Sequence, residues 1–227
     1  MLQGNARFAS GQAEHPWQDK ETRESLIDAQ HPDAAVLSCS DSRVPPEIIF
    51  DQGLGNMFTV RTAGQTLDDA VIASLEYAVT HLGVSVLVVL GHEHCGAVAS
   101  AVAELDALAS EAGIDLGATF AAEVTDSEMI DPAASDTDNA DDVFDKMEEL
   151  VAASESILVR SVGASVLAAQ EAALSNTDDF ERVHVARTIE ALVDRSTVIQ
   201  EALAAQRLTI VGARYQLTNG KVEVLSF

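Results

Sequence analysis

Apolar runs bounded by turn signals organise this chain. "AAVLSCS" (34–40) is apolar enough to read as a buried strand, and Pro45-Pro46 forces an irregular turn after it. "MFTVRTA" (57–63) alternates like a second strand. "LDDAVIASLEYAVTHL" (67–82) has the spacing of an amphipathic helix, with Asp68 and Asp69 in the first turn, where the helix dipole favours them. "GVSVLVVLGH" (83–92) is apolar almost throughout, the pattern of a parallel strand covered on both faces, and "CGAVASAVAELDAL" (95–108) opens another helix. Strand alternating with helix predicts an α/β fold with a mostly parallel central sheet flanked by helices.

The flanks fit that frame. "NARFASG" and "DKETRESLIDAQ" have helical spacing and few strand formers, so residues 1–33 are expected to form N-terminal helices and a loop. Helical pattern fills about 150–206, broken by "SNTDD", and the chain then runs through "RLTIVGARY" and "KVEVLSF". Asn219-Gly220 between these two runs signals a hairpin. Residues 121–149 differ: eleven acidic residues and one Lys, with no sustained apolar period, predict an acidic, solvated surface insertion with frayed helical pieces. Within it "DTDNADDVFDKME" only resembles a calcium loop, because Ala140 takes a ligand position and Asp141 stands where the turn glycine belongs. With no internal repeat and no linker, one domain over 1–227 is expected.

Composition narrows the function classes. Apolar residues are 47% of the chain, which excludes a disordered tail protein. The formal charge is −24, from 37 acidic and 13 basic residues, so the surface repels nucleic acid and anionic lipid, and neither is an expected partner. No stretch has the layout of a signal peptide, and "VLVVL" (86–90) is too short to span a bilayer, so a soluble, cytoplasmic protein is expected. Three lysines against so many aspartates suit a salt-rich, halophilic cytoplasm. An acidic loop in an ordinary bacterial enzyme is the alternative.

The two cysteines carry the chemistry. Cys39 and Cys95 both fall at the C-terminal ends of predicted parallel strands, the edge where open α/β sheets place their sites. His92 lies three residues before Cys95 at the strand-to-helix turn. Two thiolates and one imidazole with a fourth position open is the arrangement of a catalytic zinc. His-x-x-Cys alone is a weak signal, and two buried core thiols would give the same pattern of burial. Asp41 follows Cys39 by two residues, close enough to reach a metal or what it binds, and Arg43 could hold that carboxylate with paired hydrogen bonds. A surface ion pair is the plainer reading of Asp-x-Arg. His15, His31, His81 and His184 are scattered and read as surface or helix-end residues, His94 reads as pointing away from the metal, and Gly53 and Gly55 read as turn residues.

These residues resemble the β-class carbonic anhydrases, whose Cys-x-Asp-x-Arg and His-x-x-Cys motifs stand here as "CSDSR" (39–43) and "HEHC" (92–95). "GNARF", "FTVRTAGQ", "ASLEYAV", "VLGHEHCGAV" and "IVGARYQLTNGKVEVL" extend the likeness, in order, over nearly the whole chain. The resemblance implies zinc on Cys39, His92 and Cys95, an Asp41–Arg43 catalytic pair, and a homodimer or dimer of dimers. It assigns Gln30 to substrate or bicarbonate, and Phe58, Ala63 and Tyr77 to an apolar wall contributed in part by a partner subunit. Ala63 stands where a larger aliphatic is common, which implies a roomier pocket. Val36 replaces a Trp that some relatives use in an inhibitory bicarbonate site, which argues against that regulation here. The implied reaction is the reversible hydration of carbon dioxide to bicarbonate and a proton. Carbonyl sulfide or carbon disulfide hydrolysis on the same zinc, and a non-catalytic zinc-binding module, are the other readings. Whether Asp41 pairs with Arg43 or swings onto zinc is open at this level.

Overall fold

Three of the apolar runs form parallel strands, and a fourth strand and a short fifth complete the sheet. The computed structural model describes residues 1–114, 116 and 140–226. Strands β1 (Ala34–Cys39), β2 (Met57–Thr62), β3 (Val86–His92), β4 (Thr209–Tyr215) and β5 (Val222–Val224) lie in the order β2-β1-β3-β4-β5. All neighbours are parallel except β4 and β5, which pair antiparallel across the turn containing Asn219 and Gly220. Gly220 there has φ 74°, a left-handed conformation that glycine adopts without a Cβ penalty. The expected α/β class, mostly parallel sheet and closing hairpin are all present.

The described residues group into two compact units, one made of residues 1–95 with 184 onward, the other of Gly96–Val183. In the first unit, alternate residues of β1 and β3 (Ala35, Leu37, Leu87 and Val89) pack with Val71, Leu75 and Val79 of helix α4 (Asp69–Thr80) and with Val185, Leu192 and Ile199. Every residue of β1 is buried, Ser38 included, in keeping with the otherwise apolar sequence of the strand. Asp68 caps α4 by accepting from the Val71 amide at 2.8 Å.

The N-terminal helix α1 (Leu2–Ala9) is anchored by one buried side chain. Asn5 Nδ2 donates to the carbonyls of Ile49 (3.1 Å) and Gly220 (2.9 Å), and its Oδ1 accepts from Val222 N at 2.8 Å. Gly4 beside it has no alternative, since a Cβ there would lie 1.9 Å from the Phe50 carbonyl oxygen. Asp51 fastens the following segment, accepting from Arg7 Nε at 2.7 Å and from the amides of Glu14 and His15 at 3.0 and 2.9 Å.

The second unit is helical: α5 (Gly96–Glu111), α6 (Ala140–Ala153), a π-helical turn (Val159–Gly163) and α7 (Ala164–Glu171). The acidic stretch 121–149 falls mostly outside the described residues. Its last ten positions, 140–149, lie in α6 and not in a loop. The reason is a stripe of Val143, Met147 and Val151, four residues apart and buried, that the surrounding acids mask in sequence. Helix α8 (Thr177–Arg195) supplies the first unit with its residues from His184 onward, and α9 (Thr197–Ala204) follows, capped by Ser196. Among the described residues no helix is long and apolar enough to cross a membrane.

Candidate metal centre

The sheet register brings the two cysteines to one edge. Cys39 ends β1 opposite Thr62, and His92 ends β3 opposite Tyr215. After His92 the chain reverses at His94, whose φ is 54°, and this returns Cys95 beside the strand ends. The ligand atoms of Cys39, His92 and Cys95 all lie within 4.8 Å of one another, and all three residues are buried.

The surroundings of His92 and Cys39 fit zinc. His92 Nδ1 lies 2.9 Å from the Glu93 carbonyl oxygen, which can only accept, so Nδ1 carries the proton and Nε2 presents its lone pair. Nε2 is buried with no hydrogen-bond partner, a costly state unless a metal fills it. Cys39 Sγ accepts from two backbone amides, Gly64 N at 3.3 Å and Asp41 N at 3.4 Å. Contact with the Cys95 sulfur, and then with these amides, pulls the Cys39 thiol far below its ordinary range against the opposing effect of burial. The cluster is thus two sulfurs, one primed as thiolate, and one oriented imidazole, which is a zinc donor set.

Asp41 stands beside the cluster and belongs to Arg43. Arg43 Nε and its backbone N both donate to Oδ1 at 2.9 Å, and Nη2 donates to Oδ2 at 2.7 Å and to the His94 carbonyl at 3.0 Å. The guanidinium holds the Asp41 carboxyl well below the usual carboxylate range. The loop they share is fixed from β2, where Arg61 donates from Nε to the Cys39 carbonyl at 3.0 Å and from Nη2 to the Asp41 carbonyl at 2.6 Å.

The expected apolar wall is only partly assembled within one chain. Ala63 follows β2 directly and begins the turn that carries Gly64 to Cys39. Phe58 and Tyr77 meet, ring centroids 6.1 Å apart, but Phe58 pairs with Ala35, four residues before Cys39. At the rise of a strand that is roughly 13 Å back from the metal edge. Tyr77 and Gln30 are exposed, Gln30 in the segment between α2 (Lys20–Ser25) and β1.

Two residues that the sequence did not single out join the site from a distance: Arg61, and His184. The latter is no surface residue. It is buried, with Nε2 2.6 Å from the Gly64 carbonyl oxygen. The signal was available, since His184, Val185, Thr188 and Leu192 share the inward face of α8 at helical spacing.

Comparison with known proteins identifies the family. A protein-family model described as carbonic anhydrase matches residues 34–161. A carbonic anhydrase of Mycolicibacterium smegmatis is 42% identical over 226 residues, covering 100% of this chain and 90% of the relative. Carbonic anhydrase 2 of Mycobacterium tuberculosis is 40% identical, covering 97% and 87%. Among solved structures, a tetrameric β-carbonic anhydrase from Sordaria macrospora superposes with a TM-score of 0.60 at 20% identity, covering 100% of this chain and 95% of that one, a likeness of fold.

Proposed function

The chain belongs to the carbonic anhydrase family and has the fold of its β class, and from this premise we infer how its own residues carry out the reversible hydration of carbon dioxide to bicarbonate and a proton. The enzyme is zinc-dependent, and the observation that carries the reading is the buried triad of Cys39, His92 and Cys95 with an imidazole nitrogen that has no other partner. When bound, zinc supplies the Lewis acidity that lowers the pKa of a water from about 16 to about 7.

The remaining work falls to side chains. Asp41, ionised and locked by Arg43, accepts a hydrogen bond from the attacking oxygen and aims its lone pair toward carbon. The fork from Arg43 also keeps both carboxylate oxygens engaged, so Asp41 stays turned to the guanidinium and would not itself serve as a ligand beside Cys39, His92 and Cys95. Carbon dioxide has no charge to grip, so it needs an apolar slot, and Ala63 supplies one side of it. Phe58, Tyr77 and Gln30 complete the slot from a second copy of the chain. The exposure of Tyr77 and Gln30 and the offset of Phe58 from its own metal edge support this. The working form is therefore a homodimer or a dimer of dimers.

The large negative charge supports a protein working in a salt-rich cytoplasm. Stopped-flow measurement of carbon dioxide hydration tests the function directly. Turnover that is fast with carbon dioxide and negligible with carbonyl sulfide and carbon disulfide is expected. The reverse order would overturn it.

A further inference from the structure

Cys39 is held by a turn that looks poorly suited to stay in place unaided. Gly64 has φ 61° and ψ 32°, and Gln65 after it has φ 42°, so two successive residues are left-handed, the second of them with a side chain. This conformation aims the Gly64 N–H at Cys39 Sγ, 3.3 Å away. The Gly64 carbonyl, on the other side of the same residue, meets His184 Nε2 at 2.6 Å. A carbonyl oxygen only accepts, so Nε2 must carry a proton and donate. His184 comes from a helix 120 residues further along the chain and is 2% exposed. Burial pushes its pKa down, favouring a neutral ring that can make this bond without bringing a charge beside the site.

We propose that His184 is a positioning residue for the metal centre: by holding the Gly64 carbonyl it keeps the Gly64 N–H on the Cys39 sulfur and so governs how firmly that thiolate holds zinc. This rests on the zinc reading above. An N–H bond to sulfur lowers the energy of its lone pairs and fixes the direction in which the sulfur points. Without it the sulfur is less well aimed at the site that Cys39, His92 and Cys95 share, so the metal leaves faster. A thiolate-to-metal charge-transfer band should then move to longer wavelength.

Glutamine and methionine are similar in length, and only glutamine has an N–H that can donate to the Gly64 carbonyl. His184→Gln, His184→Met and the parent would be loaded with zinc for transfer to a chelator, and with cobalt(II) for absorption spectra. Outer-shell partners of metal ligands typically matter by about 10- to 100-fold in affinity, so His184→Met should lose zinc about tenfold faster than the parent or more, with the cobalt band shifted to longer wavelength. His184→Gln should stay close to the parent in both readouts. Leu192→Ala, which loosens the same helix without touching Gly64, should lower the melting temperature and leave the cobalt band in place. The proposal is overturned if the folded Met variant matches the parent in zinc loss and band position, or if the folded Gln variant releases zinc as fast as Met. A parent protein that holds no zinc would instead overturn the reading of the centre itself.

Discussion

Arg43 grips Asp41 at both carboxylate oxygens, Nε to Oδ1 at 2.9 Å and Nη2 to Oδ2 at 2.7 Å, while the same Nη2 ties down the His94 carbonyl between the two later metal donors. One guanidinium thus links the Cys-x-Asp-x-Arg loop to the His-x-x-Cys turn. The geometry is a fork that lysine cannot reproduce. Asp41→Ala should therefore keep its zinc but lose turnover by about 10² or more, and Arg43→Lys should lose a substantial part of it. Stopped-flow hydration rates with parallel metal analysis check this. Parent-like turnover in Asp41→Ala would remove the carboxylate from the mechanism.

The same pair sets a response to acid. The carboxyl of Asp41 is depressed in the folded protein relative to its ordinary value of 3.8, so its contribution to stability is present above that value and is lost as pH falls below it toward the depressed one. The stability difference between the parent and Asp41→Asn should be constant above about pH 5 and shrink below about pH 4. Urea melts at a series of pH values would check it. A difference that grew on acidification would contradict the assigned direction.

What could be read in the sequence was what is local in it. Cys39, Asp41 and Arg43 fall within five residues and His92 and Cys95 within four, and the strands that end at them are largely apolar, so the metal edge was visible and the Asp–Arg pair stood as one of two arrangements. His184 and Gly64 were not, because their bond spans 120 residues and exists only once α8 lies beside the turn after β2. Arg61 drew no reading from the sequence, because its bonds to the Cys39 and Asp41 carbonyls depend on the β1–β2 register. In 140–149 the density of acids concealed a helical stripe of Val143, Met147 and Val151.

If a second copy completes the pocket, subunit mixing should restore activity. A Phe58→Ala, Tyr77→Ala double variant and an Asp41→Ala variant are each expected to be impaired. In a mixed dimer, one site collects both defects and the other collects neither. Dissociating and reassociating the two together should recover activity that neither has alone. Unchanged additive activity after verified exchange would mean that the wall and the metal serve the same protomer's site.

The charge makes a separate claim. With −24 on each chain, self-repulsion opposes both folding and assembly. Screening tightens from a Debye length of about 10 Å at 0.1 M salt to about 3 Å at 1 M. Melting temperature, oligomer mass and hydration rate should rise together over that range. A flat or falling response would remove the salt-rich setting and leave the zinc chemistry as it stands.

The central claim is that Cys39, His92 and Cys95 hold the zinc on which hydration depends. The most direct measurement is zinc content per chain, taken on the same samples as the hydration rate, for the parent and for Cys39→Ser, His92→Ala and Cys95→Ser. About one zinc per chain in the parent is expected, with most of the metal and nearly all activity lost in each variant. A full complement of zinc in folded Cys39→Ser would contradict the account.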